Sequence, residues 1–237
     1  MSQHSFSYGQ NVISFALEQK PRKSFKISVM PDLSVGVRAP YNLSIEKILH
    51  KVQGRAPWIV RQIDYFKEFM PKEPSRKYIS GETHQYYGRQ YRLKVLQAKK
   101  QFVTLKGKYI FIHSLCPNSR VQTKRLLYGW YRARAQKLFD TITKRCYGPL
   151  EKYGVMFPVI DVKTMKSRWG SCLHTKGRIG LNTELIKAPS HCIEYVIMHE
   201  MCHLKYPNHT KQFYKFMSLV MPDWIARKKR LEKVCLN

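Results

Sequence analysis

The residues that most constrain this chain are two histidines four positions apart, His199 and His203, in the run HEMCH. On an α-helix, residues four apart lie about 40° apart around the axis and about one turn apart along it. Both imidazoles can then reach one small cation from the same face. Zinc in catalytic sites takes three protein ligands and keeps a fourth position open for water. The spacing therefore predicts a helix that contributes two ligands to one metal ion.

Glu200 follows the first of these histidines and can turn toward a water molecule at the metal. A carboxylate in that place would act as general base, while the metal lowers the pKa of the water and polarises the scissile bond. The alternative interpretation is that the motif does not bind a metal. It would then be a chance pattern in a chain with nine histidines, or two histidines on a polar helix face. A third histidine close by favours the catalytic interpretation, with Glu200 as the catalytic residue.

His209 lies six residues beyond this motif. In the pattern HExxHxxGxxH a glycine stands at the bend, where this chain has Tyr206. Pro207 follows, and a residue before proline is pushed out of the α conformation. The metal-binding helix is therefore predicted to end near Tyr206. Asn208 is predicted to cap the next helix, which runs from residue 209 to about residue 220.

The rival third ligand is a downstream carboxylate, because some zinc sites use aspartate or glutamate. After Glu200 the acidic residues are Asp223 and Glu232. Asp223 stands in the run MPDW, where capping of a helix N-terminus is an adequate structural explanation. A neutral imidazole suits zinc, and the chain that links the motif to His209 is short. The predicted ligands are His199, His203 and His209.

Several short segments surround these ligands: MKSRWGSC and GRIGLN upstream, then YVIMHEMCHLKYPNHTKQF, and finally MPDW. Together they resemble the YgjP-like, or WLM/SprT-related, zincin-like metallopeptidases, which carry a WGSC strand, an I-x-L-N strand, a YVxxHExxHL helix and a following N-H-[ST]-x-x-F. The resemblance is strong from about residue 120 to 235, with weaker markers before it, SGE at 80–82 and YGR at 87–89. It implies an α+β protein with a zincin-like metallopeptidase domain, zinc at the three histidines, and hydrolysis with Glu200 as base.

The segment that begins at Arg168 has two interpretations. The structural one is a core tryptophan, a tight turn at Gly170 and a hydroxyl that satisfies a backbone group. The functional one is a strand edge beside the metal, where an extended peptide adds its backbone hydrogen bonds. Arg168 could stabilise an oxyanion or a phosphate, or be a solvated charge. The candidate substrate-binding residues are Arg168, Trp169, Gly170, Ser171, Ile179 and Asn182.

The charge of the chain adds a second constraint. Its 43 lysines and arginines outnumber 15 aspartates and glutamates, for a formal charge of +28, and no acidic residue stands between Glu82 and Asp140. Such a field attracts polyanions through phosphate contacts that weaken with salt and carry no sequence specificity. The alternative is that the charge only keeps the protein soluble and the aromatic residues form a core. We expect non-specific binding of nucleic acid or another polyanion, with stacking on Tyr86, Tyr87, Tyr91, Tyr128, Trp130 and Tyr131.

The remaining composition bears on location. The opening ten residues lack the pattern of a signal peptide, and no apolar run approaches membrane-spanning length. The six cysteines show no C-x-x-C pairing and are interpreted as reduced thiols. We therefore expect a cytoplasmic protein without a membrane partner. The resemblance to metallopeptidases implies a peptide or protein substrate.

Hydrophobic periodicity and turn residues predict two domains. Residues 1–118 are predicted to form a small antiparallel β-rich module with one helix, which starts at Ser44 and is broken near Gly54 and Pro57. No internal repeat is apparent. The predicted strands of this module are 11–17, 25–29, 35–38, 85–97, 102–105 and 109–112.

Residues 119–237 are predicted to form the zincin-like metal-binding catalytic domain. It opens with a long helix from Asn118 to about Tyr147, closed by Gly148 and Pro149. A small mixed sheet follows, with strands at 158–163 and 178–182 that flank the WGSC turn, and three helices finish the chain.

Two classes of function fit these residues. The first is a zinc-dependent peptidase that acts on proteins near nucleic acid. The second is a metal-dependent hydrolase of phosphoanhydrides, such as a nucleotide pyrophosphatase, in which Lys166 and Arg168 are the candidate phosphate-binding residues. A third class is a binding protein whose metal is only structural, but such a site would not require Glu200.

Overall fold

The structure is a computed structural model that describes residues 2–9, 11–30, 32–67, 76–165 and 168–235. The chain divides into two compact units, Met1–Glu73 and Pro74–Cys235. The predicted boundary between residues 118 and 119 therefore falls inside the second unit. The reason is that strands between residues 83 and 114 share a hydrophobic core with the long helix that follows them.

The first unit joins one sheet to two helices. Its elements are β1 (Ser2–Tyr8), β2 (Asn11–Lys20), β3 (Lys26–Val29), β4 (Val35–Pro40), α1 (Ile45–Gln53) and α2 (Ala56–Lys67). The strands lie in the order β1-β2-β4-β3. Inward-facing residues of β2 and β4 pack against both helices to form its core, whose buried members are Ile13, Phe15, Leu17, Val35, Val37, Ala39, Ile48, Val52, Ala56 and Ile59.

The predicted break between α1 and α2 is confirmed, whereas two other predictions for this region are wrong. The strands β2 and β4 pair in parallel, so the module is not antiparallel throughout. Alternating hydrophobic residues show which face of a strand is buried but not the direction of its partner. The strand β1 has no counterpart among the predicted strands, because none of its residues is buried and its sequence is mostly polar.

The second unit begins with a sheet of the same topology. Its elements are β5 (Thr83–Tyr86), β6 (Arg89–Gln97), β7 (Phe102–Lys106), β8 (Tyr109–Ser114) and α3 (Arg120–Glu151). The strand order is β5-β6-β8-β7, with β6 and β8 parallel and the outer pairs antiparallel. The same arrangement therefore occurs twice in the chain, although the sequence shows no repeat. In each case two hairpins pair through their second strands, and a helix follows.

The helix α3 continues beyond the predicted end at Gly148. Pro149 stands in its last turn, and Leu150 after it is fully buried. Proline cannot donate a helical hydrogen bond, but near the helix end only one such bond is lost. Burial of Leu150 offsets that loss, because a buried leucine side chain contributes about 1.5–3 kcal/mol.

The rest of the second unit carries the predicted site. Its elements are β9 (Val159–Lys163), β10 (Gly170–Leu173), β11 (Arg178–Asn182), α4 (Ser190–Cys202), α5 (Lys211–Val220) and α6 (Trp224–Cys235). The sheet has the order β10-β11-β9, with β10 antiparallel and β9 parallel to β11. The predicted mixed sheet and three closing helices are confirmed.

The turn between β5 and β6 supports the start of α4. Tyr87 and Gly88 have φ angles of 50° and 75°, and their N–H groups donate to the carbonyls of Ile186 and Lys187 at 2.8 and 3.0 Å. A Cβ on Gly88 would lie 2.9 Å from the Cα of Pro189, the residue just before α4. The YGR marker thus corresponds to a hairpin turn that packs against the beginning of the metal-binding helix.

None of the helices in the described part of the chain is long and apolar enough to cross a membrane.

Candidate metal centre

The first two predicted ligands lie at the C-terminal end of α4, His199 within the helix and His203 as the residue that caps it. Most of its residues are buried, and it ends at Cys202, four residues before the predicted end at Tyr206. The chain then tightens, since the N–H groups of Leu204 and Lys205 bond to carbonyls three residues back. His203 still has helical angles, with φ −68° and ψ −17°. The four-residue spacing from His199 therefore keeps its helical geometry.

Three imidazoles converge on one point. The Nε2 atom of His209 lies 3.0 Å from that of His199 and 3.1 Å from that of His203. Among the described residues these three form the one group whose ligand atoms all lie close enough to hold a metal ion. Tetrahedral nitrogen ligands about 2.0–2.1 Å from zinc would be roughly 3.4 Å apart. The arrangement therefore fits a zinc-sized cation with small adjustments.

The protonation states of the histidines suit metal binding. The Nδ1 atom of His203 lies 3.0 Å from the carbonyl oxygen of Tyr206. A carbonyl only accepts, so Nδ1 carries the proton and Nε2 presents its lone pair. Burial and the two neighbouring histidines lower the pKa of His199 to about 3, and burial also lowers the pKa of His203. Both rings are therefore neutral near pH 7, as ligation requires.

Phe213 packs against all three rings, a role that the sequence analysis did not assign to it. Its ring is fully buried, and its centroid lies 5.0, 4.5 and 4.9 Å from those of His199, His203 and His209. The N-H-[ST]-x-x-F pattern contained the signal, because its last position is Phe213. A packed aromatic ring limits the rotamers of the ligands and keeps them together.

The cap of α5 differs from the prediction. Thr210, not Asn208, accepts a hydrogen bond from the N–H of Phe213, at 3.4 Å, so the helix begins at Lys211. His209 consequently lies before the helix, on the link that follows Pro207. This position lets the side chain turn back toward α4.

The two rival carboxylates have other partners. Asp223 accepts a hydrogen bond from Arg227 at 2.8 Å, and its side chain is 57% exposed. Glu232 lies 3.9 Å from Lys228 on the surface of α6. Neither belongs to the group of converging ligand atoms, so the geometry favours His209 as third ligand.

Glu200 lies beside the three ligands and is 7% exposed. Burial raises the pKa of its carboxyl to about 7, while Arg168 opposes that rise. The side chain packs directly against Gly170, since a Cβ on Gly170 would lie 2.6 Å from Oε1 and 2.7 Å from Cγ of Glu200. A glycine at the start of β10 is thus a steric requirement for the position of the carboxylate.

A cleft of ≈ 480 Å³ opens above the imidazoles. It is bounded by the metal-binding residues, by β10 and by one side of α4. The described residues that line it are Arg168, Trp169, Gly170, Ser171, Cys172, His174, Tyr195, Val196, His199, Glu200, His203, Pro207, His209 and Leu231.

Four of the six predicted substrate-binding residues line this cleft, and Ile179 and Asn182 do not. Ile179 is fully buried in the core. Their strand β11 is central in its sheet, paired with β10 on one side and β9 on the other, so it offers no edge to a peptide. Among the described strands of this sheet, β10 is the edge beside the ligands. The prediction of an open strand edge at Ile179–Asn182 is therefore wrong, because β11 is paired on both sides.

Asn182 has a structural role. Its Nδ2 donates to the carbonyls of Met165 and Arg168, both at 3.0 Å. Its Oδ1 accepts from the N–H of Glu184 at 3.2 Å. The side chain thereby fixes the backbone at Met165 and at Arg168, shortly before β10. Residues 166 and 167 lie outside the described part of the chain. Loss of this amide would remove a hydrogen-bond partner from both backbone carbonyls.

Gly170→Ala should move Glu200 without removing a ligand. The new methyl group overlaps a nearly buried side chain, and overpacking of this kind costs about 1–3 kcal/mol. We expect unchanged metal content, a lower thermal midpoint and weaker hydrolysis, measured by metal analysis, calorimetry and turnover. Gly36→Ala on β4 is the control, since its Cβ would meet only Met30 at 3.7 Å. Equal thermal midpoints and equal turnover in the two variants would contradict the steric argument.

The cysteines also follow the prediction where their side chains are described. Cys116, Cys146, Cys172, Cys192 and Cys202 are free thiols. Cys202 stands between His199 and His203 in the sequence, and its side chain is buried. Its Sγ is not among the converging ligand atoms and lies 3.6 Å from the Sδ of Met217. Burial raises the pKa of this thiol to about 12, so it stays protonated and is not a metal ligand.

Three converging imidazoles and an adjacent buried carboxylate in a cleft define a metal-binding hydrolytic site. A family model described as "YgjP-like, metallopeptidase domain" matches residues 23–234. The chain therefore belongs to the YgjP-like family, and it is a metallopeptidase. A search of curated proteins finds no significant match.

Proposed function

We propose that the protein is a zinc-dependent peptidase with a zincin-like catalytic domain, in which Glu200 acts as general base. The observation that carries the proposal is the convergence of three Nε2 atoms at 3.0 and 3.1 Å contacts. Neutral imidazoles in a three-histidine set are ligands that zinc prefers. When bound, zinc would lower the pKa of a water molecule and polarise the scissile carbonyl.

The residues around the ligands supply the proton chemistry. Glu200 is held in the same cleft by Gly170 and is positioned to accept a proton from the attacking water. The same carboxyl can then deliver that proton to the leaving nitrogen. Burial between α4 and β10 limits the rotation of the carboxylate, so the proton acceptor is oriented before substrate arrives.

The strand β10 provides a binding site for an extended peptide. Within the described sheet it pairs only with β11, and its residues Gly170, Ser171 and Cys172 line the cleft. A peptide that adds to this edge forms backbone hydrogen bonds along its length, so affinity does not depend on a particular side chain. This placement brings a peptide bond past the three histidines.

The cleft is less suited to a phosphoanhydride. Among its described lining residues the single lysine or arginine is Arg168, and Lys166 lies outside the described residues. Phosphoryl transfer is stabilised by several cations that clamp the phosphates. A site with one arginine and an open strand edge favours the peptidase over the nucleotide pyrophosphatase.

We further propose that the protein binds nucleic acid or another polyanion without sequence preference and functions in the cytoplasm. The formal charge of +28 supports the first statement. The free thiols support the second, because unpaired cysteines are typical of a reducing compartment.

Removal of the metal should abolish peptide cleavage. The test treats the purified protein with a chelator and assays a mixed peptide library, unfolded protein and nucleoside triphosphates in parallel. We expect peptide cleavage that disappears on chelation and returns with one equivalent of zinc, because the catalytic water needs the metal. Release of pyrophosphate from nucleotides, with all peptides intact, would contradict the peptidase and favour the phosphoanhydride hydrolase.

A further inference from the structure

The sheet formed by β5, β6, β8 and β7 has one buried and one open face. Leu93, Ile110 and Ile112 point inward and are fully buried in the core shared with α3. Successive side chains of a strand alternate between faces, so their neighbours in sequence point the other way. We call the opposite side, which holds three rows of residues, the outer sheet face.

Strand register fixes those rows. Residues paired across strands lie side by side on one face, and rows two residues apart along a strand are roughly 6.8 Å apart. The row nearest the hairpin turn of β7 and β8 holds Arg92, Tyr109 and Lys106, the middle row holds Lys94, Phe111 and Thr104, and the last row holds Leu96, His113 and Phe102.

The rings of the outer sheet face are arranged together and partly exposed. Phe102 stacks on His113 with centroids 4.0 Å apart and planes 13° apart, and Phe102 is 47% exposed. Tyr109 and Phe111 have centroids 5.9 Å apart. The Nζ of Lys94 lies 4.0 Å from the Tyr109 centroid and 5.6 Å from that of Phe111. Aromatic surface and positive charge therefore alternate across the face.

The aromatic residues that the sequence suggested for stacking are placed elsewhere. Tyr131 is buried, and its hydroxyl donates to the carbonyl of Gln85 at 2.7 Å. Tyr86, Tyr87, Tyr91 and Trp130 pack against the hydrophobic core. Tyr128 is half-buried and lies edge-on to Tyr131, with ring centroids 6.0 Å apart. Most of the suggested rings therefore pack against the core, whereas Tyr109, Phe111 and Phe102 lie on the opposite face of the sheet.

The cations of the outer sheet face are not neutralised by ion pairs within the described part of the chain. Among the described residues no ion pair joins Arg92, Lys94 or Lys106 to a carboxylate. Glu82, the last acid before this stretch, bonds instead to His84 and to backbone N–H groups. A recess of ≈ 440 Å³ adjoins the first row, lined by Thr83, Gln90, Tyr91, Arg92, Lys108 and Tyr109.

We propose that the outer sheet face binds single-stranded nucleic acid, with phosphates on Arg92, Lys94 and Lys106 and bases on the rings of Tyr109, Phe111 and Phe102. The proposal deepens the polyanion binding proposed above and is independent of the peptidase chemistry. Base faces are free to stack on a protein only where the strand is unpaired. A duplex would meet the same cations but could not use the rings, so the combination selects single strands.

The test measures fluorescence anisotropy of a labelled oligodeoxythymidine and of a duplex of equal length, at low and moderate salt. Tyr109→Ala and Phe111→Ala should each weaken single-strand binding at least about 5-fold, with little effect on the duplex. Tyr41→Ala is the matched control, because Tyr41 is 67% exposed and lies in the first unit. It should leave binding unchanged. Unaltered metal content and circular dichroism show that each variant is folded.

A second comparison separates local from general attraction. Two double variants each remove two positive charges. The first combines Arg92→Gln with Lys94→Gln on the outer sheet face. The second combines Arg132→Gln with Lys137→Gln at exposed positions of α3. We expect the first pair to weaken single-strand binding several-fold more than the second. The net charge is the same in both variants, so any difference reports position.

Several outcomes would overturn this assignment. Equal losses from the two charge pairs, with no effect of the ring substitutions, would leave only general polyanion attraction. Equal or tighter binding of the duplex, or ring-dependent binding of an acidic peptide in place of the oligonucleotide, would assign the face to another partner. No binding at low salt would remove the polyanion proposal as well, whereas loss of peptidase activity in these variants is not expected.

Discussion

Replacing Glu200 with glutamine should leave one zinc ion per chain and lower peptide hydrolysis by about 10²- to 10⁴-fold, the usual contribution of general acid–base catalysis. The amide has nearly the same shape as the carboxylate, so it fits against Gly170 and does not disturb the fold. It cannot accept the proton of the attacking water or return one to the leaving nitrogen. Zinc content and turnover are measured side by side with the unaltered protein.

Glu232→Gln is the control for this substitution. It makes the same chemical change on α6, where Glu232 contacts only Lys228 in the described ion pairs. Turnover of this variant should match that of the unaltered protein. Undiminished turnover in a fully metallated Glu200→Gln variant would remove the general-base role, and Arg168 would become the leading candidate in the cleft.

His209→Ala should lose zinc, whereas Asp223→Ala should retain it. His209 supplies one of three converging Nε2 atoms, while Asp223 bonds to Arg227 on the surface. Loss of a hydrogen-bond partner behind a metal ligand already lowers affinity about 10- to 100-fold, so loss of a ligand should lower it further. Metal analysis after dialysis against a weak chelator measures the difference.

Both variants should remain folded, because His209 is exposed and lies on a link between helices. Circular dichroism and the thermal midpoint check this expectation. Retention of a full equivalent of zinc by His209→Ala, together with its loss from Asp223→Ala, would mean that the third ligand is the carboxylate. That result would also require the chain before α6 to move, since Asp223 is not among the converging ligand atoms in this structure.

The metal centre was predictable because most of its information is local. The spacing of His199 and His203 acts within one helix, and helical geometry alone places both rings on one side. His209 follows after a short link that a proline interrupts. The structure brings these three together as the spacing predicts, with Glu200 beside them.

Other features depended on partners distant in sequence. The sequence left open which of β10 and β11 is the edge strand beside the ligands, because both carried candidate substrate-binding residues. Pairing with β9 places β11 in the centre of its sheet, and strand order is a long-range property that alternation does not encode. For the same reason the parallel pairs β2–β4 and β6–β8 could not be predicted.

The sequence by itself predicted the meeting of three histidines beside Glu200, and it determined the charge and most helices and strands of this protein. The tertiary structure alone decided which strand edge and which aromatic face remain accessible. Gly170 shows the difference, since nothing in its local sequence indicates that a side chain there would collide with Glu200. The hydrophobic periodicity of a segment determines which of its faces is buried. Only the packing of the whole chain determines which other residues contact that face.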